Sequence, residues 1–123
     1  MNKVPRITAS RMVQLLREAR IPPPQLPAHL RLRPGDEGLW RDALDCKGAV
    51  DWRPHELPLA AQFARAMADF QRESDLLDRE PKVIRSARGQ PMQNPRVKVV
   101  ESISARARAL GRQLRIRHGA PPF

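Results

Sequence analysis

Gly89-Gln90-Pro91-Met92-Gln93-Asn94-Pro95-Arg96-Val97-Lys98-Val99-Val100 decides how the chain is read. Asn94 has the short side-chain carbonyl that caps a helix N-terminus, and Pro95 suits the first helical position, where its missing N–H removes no hydrogen bond. A helix is expected to begin there. Val100, Ile103, Ala107, Leu110 and Leu114 recur at alternating intervals of three and four, which sets them on one stripe. Such a stripe needs a partner. Arg96, Lys98, Arg106, Arg108, Arg112 and Arg115 are assigned to the other faces, so the element that packs on one side carries cations on the rest.

The partner lies upstream. Between Leu57 and Leu77 a second stripe is formed by Phe63, Ala66, Met67, Phe70, Ser74 and Leu77, widened by Ala60 and Ala64, whose small side chains permit close helix approach. Glu80-Pro81 ends the pattern. Val83-Ile84 and the stretch from Gly89 to Pro91 then predict a short turn or hairpin that reverses the chain into the Asn94 helix. The expected fold is all-α, with short N-terminal helices and a long antiparallel helical hairpin. The aromatic set of Trp40, Trp52, Phe63, Phe70 and Phe123 promises a thin core for 123 residues. Self-association is therefore expected, through Phe63, Met67, Phe70, Val100, Ile103, Leu110 and Leu114.

Three regions follow from this pattern. Residues 1–34 hold a basic helix and a proline-rich linker. In the helix Thr8 or Ser10 is the candidate cap, and Ala9, Met12, Val13 and Leu16 are the apolar positions. Pro22, Pro23 and Pro24 stop it, and the stretch to Pro34 reads as an extended, semi-rigid linker carrying Arg31 and Arg33. Residues 35–116 form the helical oligomerisation core. It opens with a short helix whose face is Leu39, Trp40, Ala43 and Leu44, and Asp51 is the expected cap of the segment containing Pro54 and Pro58. Residues 117–123 are read as a flexible basic tail.

Charge narrows the function. The chain carries 19 Arg and 4 Lys against 13 acidic residues, a net charge of +10. Residues 1–35 contribute +6, residues 36–80 contribute −5 and residues 81–123 contribute +9. Two basic ends flanking an acidic middle point to a polyanionic partner, and no segment has the apolar length of a membrane anchor. Nucleic acid is the expected polyanion. The candidate contacts are Arg6, Arg11, Arg17 and Arg20 near the N-terminus, Arg31 and Arg33 in the linker, and Arg106, Arg108, Arg112, Arg115 and Arg117 near the C-terminus. Aromatic stacking platforms are missing from all three groups, which favours duplex bound through its backbone over a single strand.

Catalysis has little support in the residues. The chain has no G-x-x-x-x-G-K-[ST] phosphate loop and no nucleophile elbow. Asp69, Glu73, Asp75, Asp78 and Glu80 form a carboxylate cluster of the kind a nuclease metal site uses, but Arg65 with Asp69 and Asp75 with Arg79 have the spacing of helical ion pairs, which favours a solvated helix face. Cys46 and His55 are too few for zinc, with His29 and His118 in expected loops. No metal, cofactor or catalytic residue is assigned. A single cysteine and the lack of an apolar leader lead to a cytosolic expectation.

The order of features carries a resemblance. A proline-rich lead from Pro22 to Pro27, an L-W-x-x-x-L element at Leu39, Trp40 and Leu44, a long alanine-rich helix, R-G-Q-P-M-Q-N-P-R-V-K-V from Arg88 and A-x-x-L-G-R-Q-L from Ala107 together resemble the small subunits of phage terminases. The similarity spans residues 22–116 and is most specific from Gly89 into the basic helix. Where the pattern implies an L-G-L-T-P-like ending, this chain reads Arg115-Ile116-Arg117-His118. The resemblance implies a non-catalytic, ring-forming subunit in the host cytoplasm. Such a subunit recognises double-stranded viral DNA and delivers it to a large subunit bearing the ATPase and nuclease. Two other readings compete: a small regulator using a helix-turn-helix dimer, which requires two short helices three or four residues apart, and a metal-dependent nuclease built on Asp69 and Glu73.

Overall fold

The computed structural model describes residues 8–20 and 22–116, with residues 17–20 described through their backbone alone. It is mostly helical: α1 spans Ala9–Arg20, α2 Glu37–Leu44, α3 Glu56–Asp78 and α4 Pro95–Gln113. Single 3-10 turns at Pro34–Asp36 and Ala49–Asp51 precede α2 and α3. The all-α expectation needs one addition. A two-stranded antiparallel ribbon, β1 Val83–Arg85 and β2 Pro91–Gln93, joins α3 to α4, in the register Val83 to Gln93, Ile84 to Met92 and Arg85 to Pro91.

The ribbon turns where the sequence predicts a reversal. Gly89 has φ 79°, the left-handed conformation glycine adopts without steric cost, and its N–H donates to the Ser86 carbonyl at 2.8 Å. Ser86 Oγ also accepts from the N–H groups of Arg88 and Gln90. The chain then enters α4 through Asn94, which is buried. Its side-chain oxygen accepts from Arg96 N–H at 3.0 Å, and its Nδ2 donates to Glu80 Oε1 at 3.2 Å and the Pro81 carbonyl at 3.1 Å. Asn94 is thus both the cap of α4 and the clasp that fixes it to the end of α3.

Two kinds of packing hold α3 and α4 together. Trp40, Ala43 and Leu44 of α2 and Trp52 pack with Ala60, Ala61, Phe63 and Ala64 of α3 and with Leu110, Leu114 and Ile116. Ala60 and Ala64 are fully buried, the consequence of small side chains at a close helix contact. Trp52 Nε1 donates to the Leu44 carbonyl at 2.9 Å, which satisfies the one polar atom of that ring inside the core. Further along, Ala66 meets Ile103 and Ala107, and nearer the ribbon the contact becomes ionic, with Arg96 bridging Glu73 and Glu80.

Four expectations are corrected by these contacts. The stretch read as an extended linker folds onto the core through Leu26, Leu30 and Leu32, because its leucines gain more from burial than an isolated spacer would. These three leucines of the 1–34 stretch thus lie against side chains of the 35–116 stretch. Asp51 does not cap α3; it closes a 3-10 turn, and α3 starts at Glu56, whose Oε1 instead accepts from Arg53 N–H at 3.0 Å. Asp69 pairs with Arg33 and Arg72 where Arg65 was expected, and Asp75 accepts from Gln71, leaving the Arg79 pairing unmade. Arg96 is half-buried between two carboxylates, so it is not one of the outward cations.

Candidate nucleic-acid interface

Part of the acidic middle of the chain is engaged from within, at Asp36, Glu56, Asp69, Glu73 and Glu80. Asp36 is 1% exposed and receives three donors from one residue: Arg33 N–H at 3.2 Å, Nε at 3.0 Å and Nη2 at 2.9 Å. Burial pushes its carboxyl up, but the hydrogen bonds from Arg33 outweigh that and hold it below the usual carboxylate range. The same guanidinium reaches Asp69 at 2.8 Å and is driven further above its ordinary value by the two carboxylates. Glu80 is lowered by Arg96 and then by Asn94, while Glu56 is lowered by the backbone N–H of Arg53 and then by Lys47. Arg33, Lys47, Arg72 and Arg96 are thus bound to acidic residues of this chain.

Several arginines without such partners lie on α4 and at its end. Arg106, Arg108, Arg112 and Arg115 are exposed, and none makes an ion pair or side-chain hydrogen bond among the described residues. Arg108 and Arg112 are four residues apart, one turn and about 6 Å along the axis, and Arg115 follows at the helix end. Arg106 lies on the opposite flank, in a depression with Asp69, Lys98, Ser102 and Ile103. At neutral pH guanidinium groups are always charged, present forked donors and suit phosphate oxygens.

The other sequence candidates are dispersed. Arg11 on α1 and Arg31 are exposed, whereas Arg33 is a structural rivet for Asp36 and Asp69, because its partner 36 residues away is invisible to local pattern. Arg6 and Arg117 lie outside the described residues, as do the side chains of Arg17 and Arg20. Of the residues assigned to self-association, Phe63, Ile103, Leu110 and Leu114 are buried within the chain's own core. For those four the chain itself supplies an apolar partner. Met67, Phe70 and Val100 are half-buried, and the first two line a shallow groove of about 180 Å³ beside Arg108. The apolar stripe of α1 is open instead, with Met12, Val13 and Leu16 each about half exposed.

A pocket missed in the sequence lies where the start of α3 meets the end of α4. It measures about 600 Å³ and gathers Lys47, Asp51, Arg53, His55, Glu56 and Arg115 around it. No single spacing reveals it, since the residues come from two stretches about 60 positions apart that only packing brings together. Arg115 has φ 59°, a left-handed conformation uncommon outside glycine. The turn is fixed by the Ile116 N–H donating to the Gly111 carbonyl at 2.8 Å and the Arg115 N–H donating to the Arg112 carbonyl at 3.0 Å, with Ile116 buried beneath it.

The carboxylates weighed for a nuclease site are paired with cations. Asp69 and Glu73 face Arg33, Arg72 and Arg96, and no three metal-ligating side chains converge among the described residues. The Cys46 thiol is pushed up by burial and then by Asp45 and Asp42, so it stays protonated near neutral pH. A helix-turn-helix pair is missing among the described residues: α1 runs into prolines, and residues 45–55 separate α2 from the much longer α3. No described helix is long and apolar enough to cross a membrane.

A comparison with curated proteins finds no match. A family comparison does: the pattern of the Hendrixvirinae small terminase family aligns with residues 1–121, nearly the whole chain and well beyond the 22–116 stretch that carries the resemblance. With a basic helix clasped by Asn94, a mostly helical body and that near-complete match in hand, the chain belongs to the Hendrixvirinae small terminase family, the small subunit of a phage DNA-packaging terminase.

Proposed function

We propose that this subunit is a non-catalytic DNA-recognition factor that assembles as a cyclic oligomer in the host cytoplasm and delivers double-stranded phage DNA to the large terminase subunit. The observation that carries the reading is the division of charge. Five acids of the middle engage Arg33, Lys47, Arg72 and Arg96, whereas Arg108 and Arg112 on α4 and Arg115 just past its end are exposed and unpaired among the described residues. Unpaired arginines attract phosphate without regard to sequence, and ring closure would repeat the same helix around an axis. In this reading α3 and α4 are the long antiparallel hairpin of each subunit. Met67, Phe70 and Val100, with the open stripe of α1, are the surfaces left for neighbouring copies.

The test is duplex binding by fluorescence anisotropy with Arg108→Gln and Arg112→Gln combined. Each lost charge-assisted contact is worth about 1.5–3 kcal/mol, so the double variant should bind at least tenfold more weakly while its helical circular dichroism is unchanged. Equal affinity in the double variant would remove α4 from the DNA interface.

A further inference from the structure

We propose that the pocket between the start of α3 and the end of α4 is a phosphate-binding site, in which Arg53, His55 and Arg115 receive a backbone phosphate of the duplex. The inference deepens the DNA-binding reading and rests on it for the source of the phosphate. Inside the pocket the charges sort into two sets. Glu56 is already occupied at both oxygens, Oε1 by Arg53 N–H and Oε2 by Lys47 Nζ, each at 3.0 Å. Lys47 also stands 4.4 Å from the centre of the Trp52 ring, which anchors it to the core. These two residues neutralise each other and brace the wall.

The second set makes no such bonds, although His55 is close enough to Glu56 to help lower its carboxyl. The side chains of Arg53, His55 and Arg115 are exposed and make no ion pair or hydrogen bond among the described residues, and Asp51 is the one remaining acid at the pocket. Two arginines against a single carboxylate leave a positive opening of about 600 Å³, with His55 as a further hydrogen-bonding group, ample for a phosphodiester with its sugar. Arg115 adds a second line of support. At a helix end of this geometry glycine is the preferred residue, and an L-residue there is held against its steric preference. A strained backbone that carries a side chain into a charged pocket points to a use for that side chain. Continuity supplies the third: Arg108 and Arg112 lead along α4 towards Arg115, so a strand lying on them would run into the pocket.

Five variants of the full chain test this, Arg108→Gln among them, measured by anisotropy on one duplex. Arg115→Gly removes the guanidinium and relieves the backbone together, so it should raise the melting temperature while weakening duplex binding about five- to tenfold. Arg53→Gln should weaken binding to a similar degree. Asp51→Asn removes the one opposing charge and should tighten it. Arg88→Gln deletes the same charge at the ribbon, the length of α4 or about 28 Å away, and should change affinity less than Arg53→Gln does. If Arg53→Gln, Arg115→Gly and Asp51→Asn leave duplex affinity unchanged while Arg108→Gln weakens it, the pocket is not a DNA subsite and the proposal fails, with the DNA-binding reading intact. If the unaltered chain binds no duplex, both fail. Calorimetry with ATP distinguishes the source: nucleotide binding lost in Arg53→Gln, with duplex affinity unmoved, would assign the phosphate to a free nucleotide and overturn the backbone assignment.

Discussion

At the scale of single residues, three side chains fix the structure by pairings that differ in kind. Asn94 combines a helix cap with two hydrogen bonds to the end of α3. Asn94→Ala should lower stability by about 2 kcal/mol, the loss of a cap plus the exposure of unpaired acceptors, read as a shifted urea midpoint. Arg33 and Arg96 act through carboxylates. Asp36, Glu56 and Glu80 are each held below their ordinary values, so in the unfolded chain they take up protons at higher pH than in the folded one. The stability they contribute is complete above the unfolded carboxylate value of about 4 and is lost as pH falls through the lower folded values. Urea midpoints should therefore be flat from about pH 5 to 7 and fall steeply below about pH 4. A midpoint that falls as pH rises from 5 to 7 would contradict this.

Local chemistry made Asn94 and Pro95 readable, because a cap acts within three residues of itself. Arg33 and Arg96 were not readable in that way. Their partners Asp69 and Glu73 are 36 and 23 positions away, and an arginine that will be buried looks in sequence like one that will face solvent. The same distance hid the pocket of Arg53, His55 and Arg115.

At the scale of elements, the α3 and α4 stripes were legible because period and residue type agreed over five turns, and the ribbon between them because Gly89 and the prolines punctuate it. The linker was misjudged for the opposite reason. Its prolines signal extension, but Leu26, Leu30 and Leu32 decide where the extended chain lies. The closest part of the helix contact depends on alanines, which gives a sharp prediction. Ala64 is fully buried, so Ala64→Leu should cost about 1–3 kcal/mol through overpacking and separate the helices, whereas the exposed Ala105→Leu should be nearly neutral. Paired denaturation curves check both. Equal effects would mean that α3 and α4 do not approach as closely as described.

At the scale of the whole molecule, the division of charge decides between structure and function. Five acids of residues 36–80, namely Asp36, Glu56, Asp69, Glu73 and Glu80, are paired inside the chain, whereas Arg106, Arg108, Arg112 and Arg115 of the basic C-terminal segment are exposed and unpaired among the described residues. Phe63, Ile103, Leu110 and Leu114 are buried within one chain, so the proposed assembly would rest on the half-buried Met67, Phe70 and Val100 and the open stripe of α1. Native mass spectrometry of the full chain should show one closed oligomer of several 14.0 kDa subunits, and Met12→Glu with Leu16→Glu should shift it towards monomer. A monomer in the unaltered protein would remove the ring from the proposed function without touching the arginine face of α4.

The most direct measurement is the salt dependence of duplex affinity, taken on the unaltered chain and on Arg108→Gln with Arg112→Gln. If two neighbouring helices neutralise about six phosphates, log K should fall against log salt with a slope near −5, and each arginine removed per engaged helix should reduce its magnitude by about 0.9. A nearly flat response, or a slope that the double variant leaves unchanged, would contradict the assignment of α4 as the face that meets DNA.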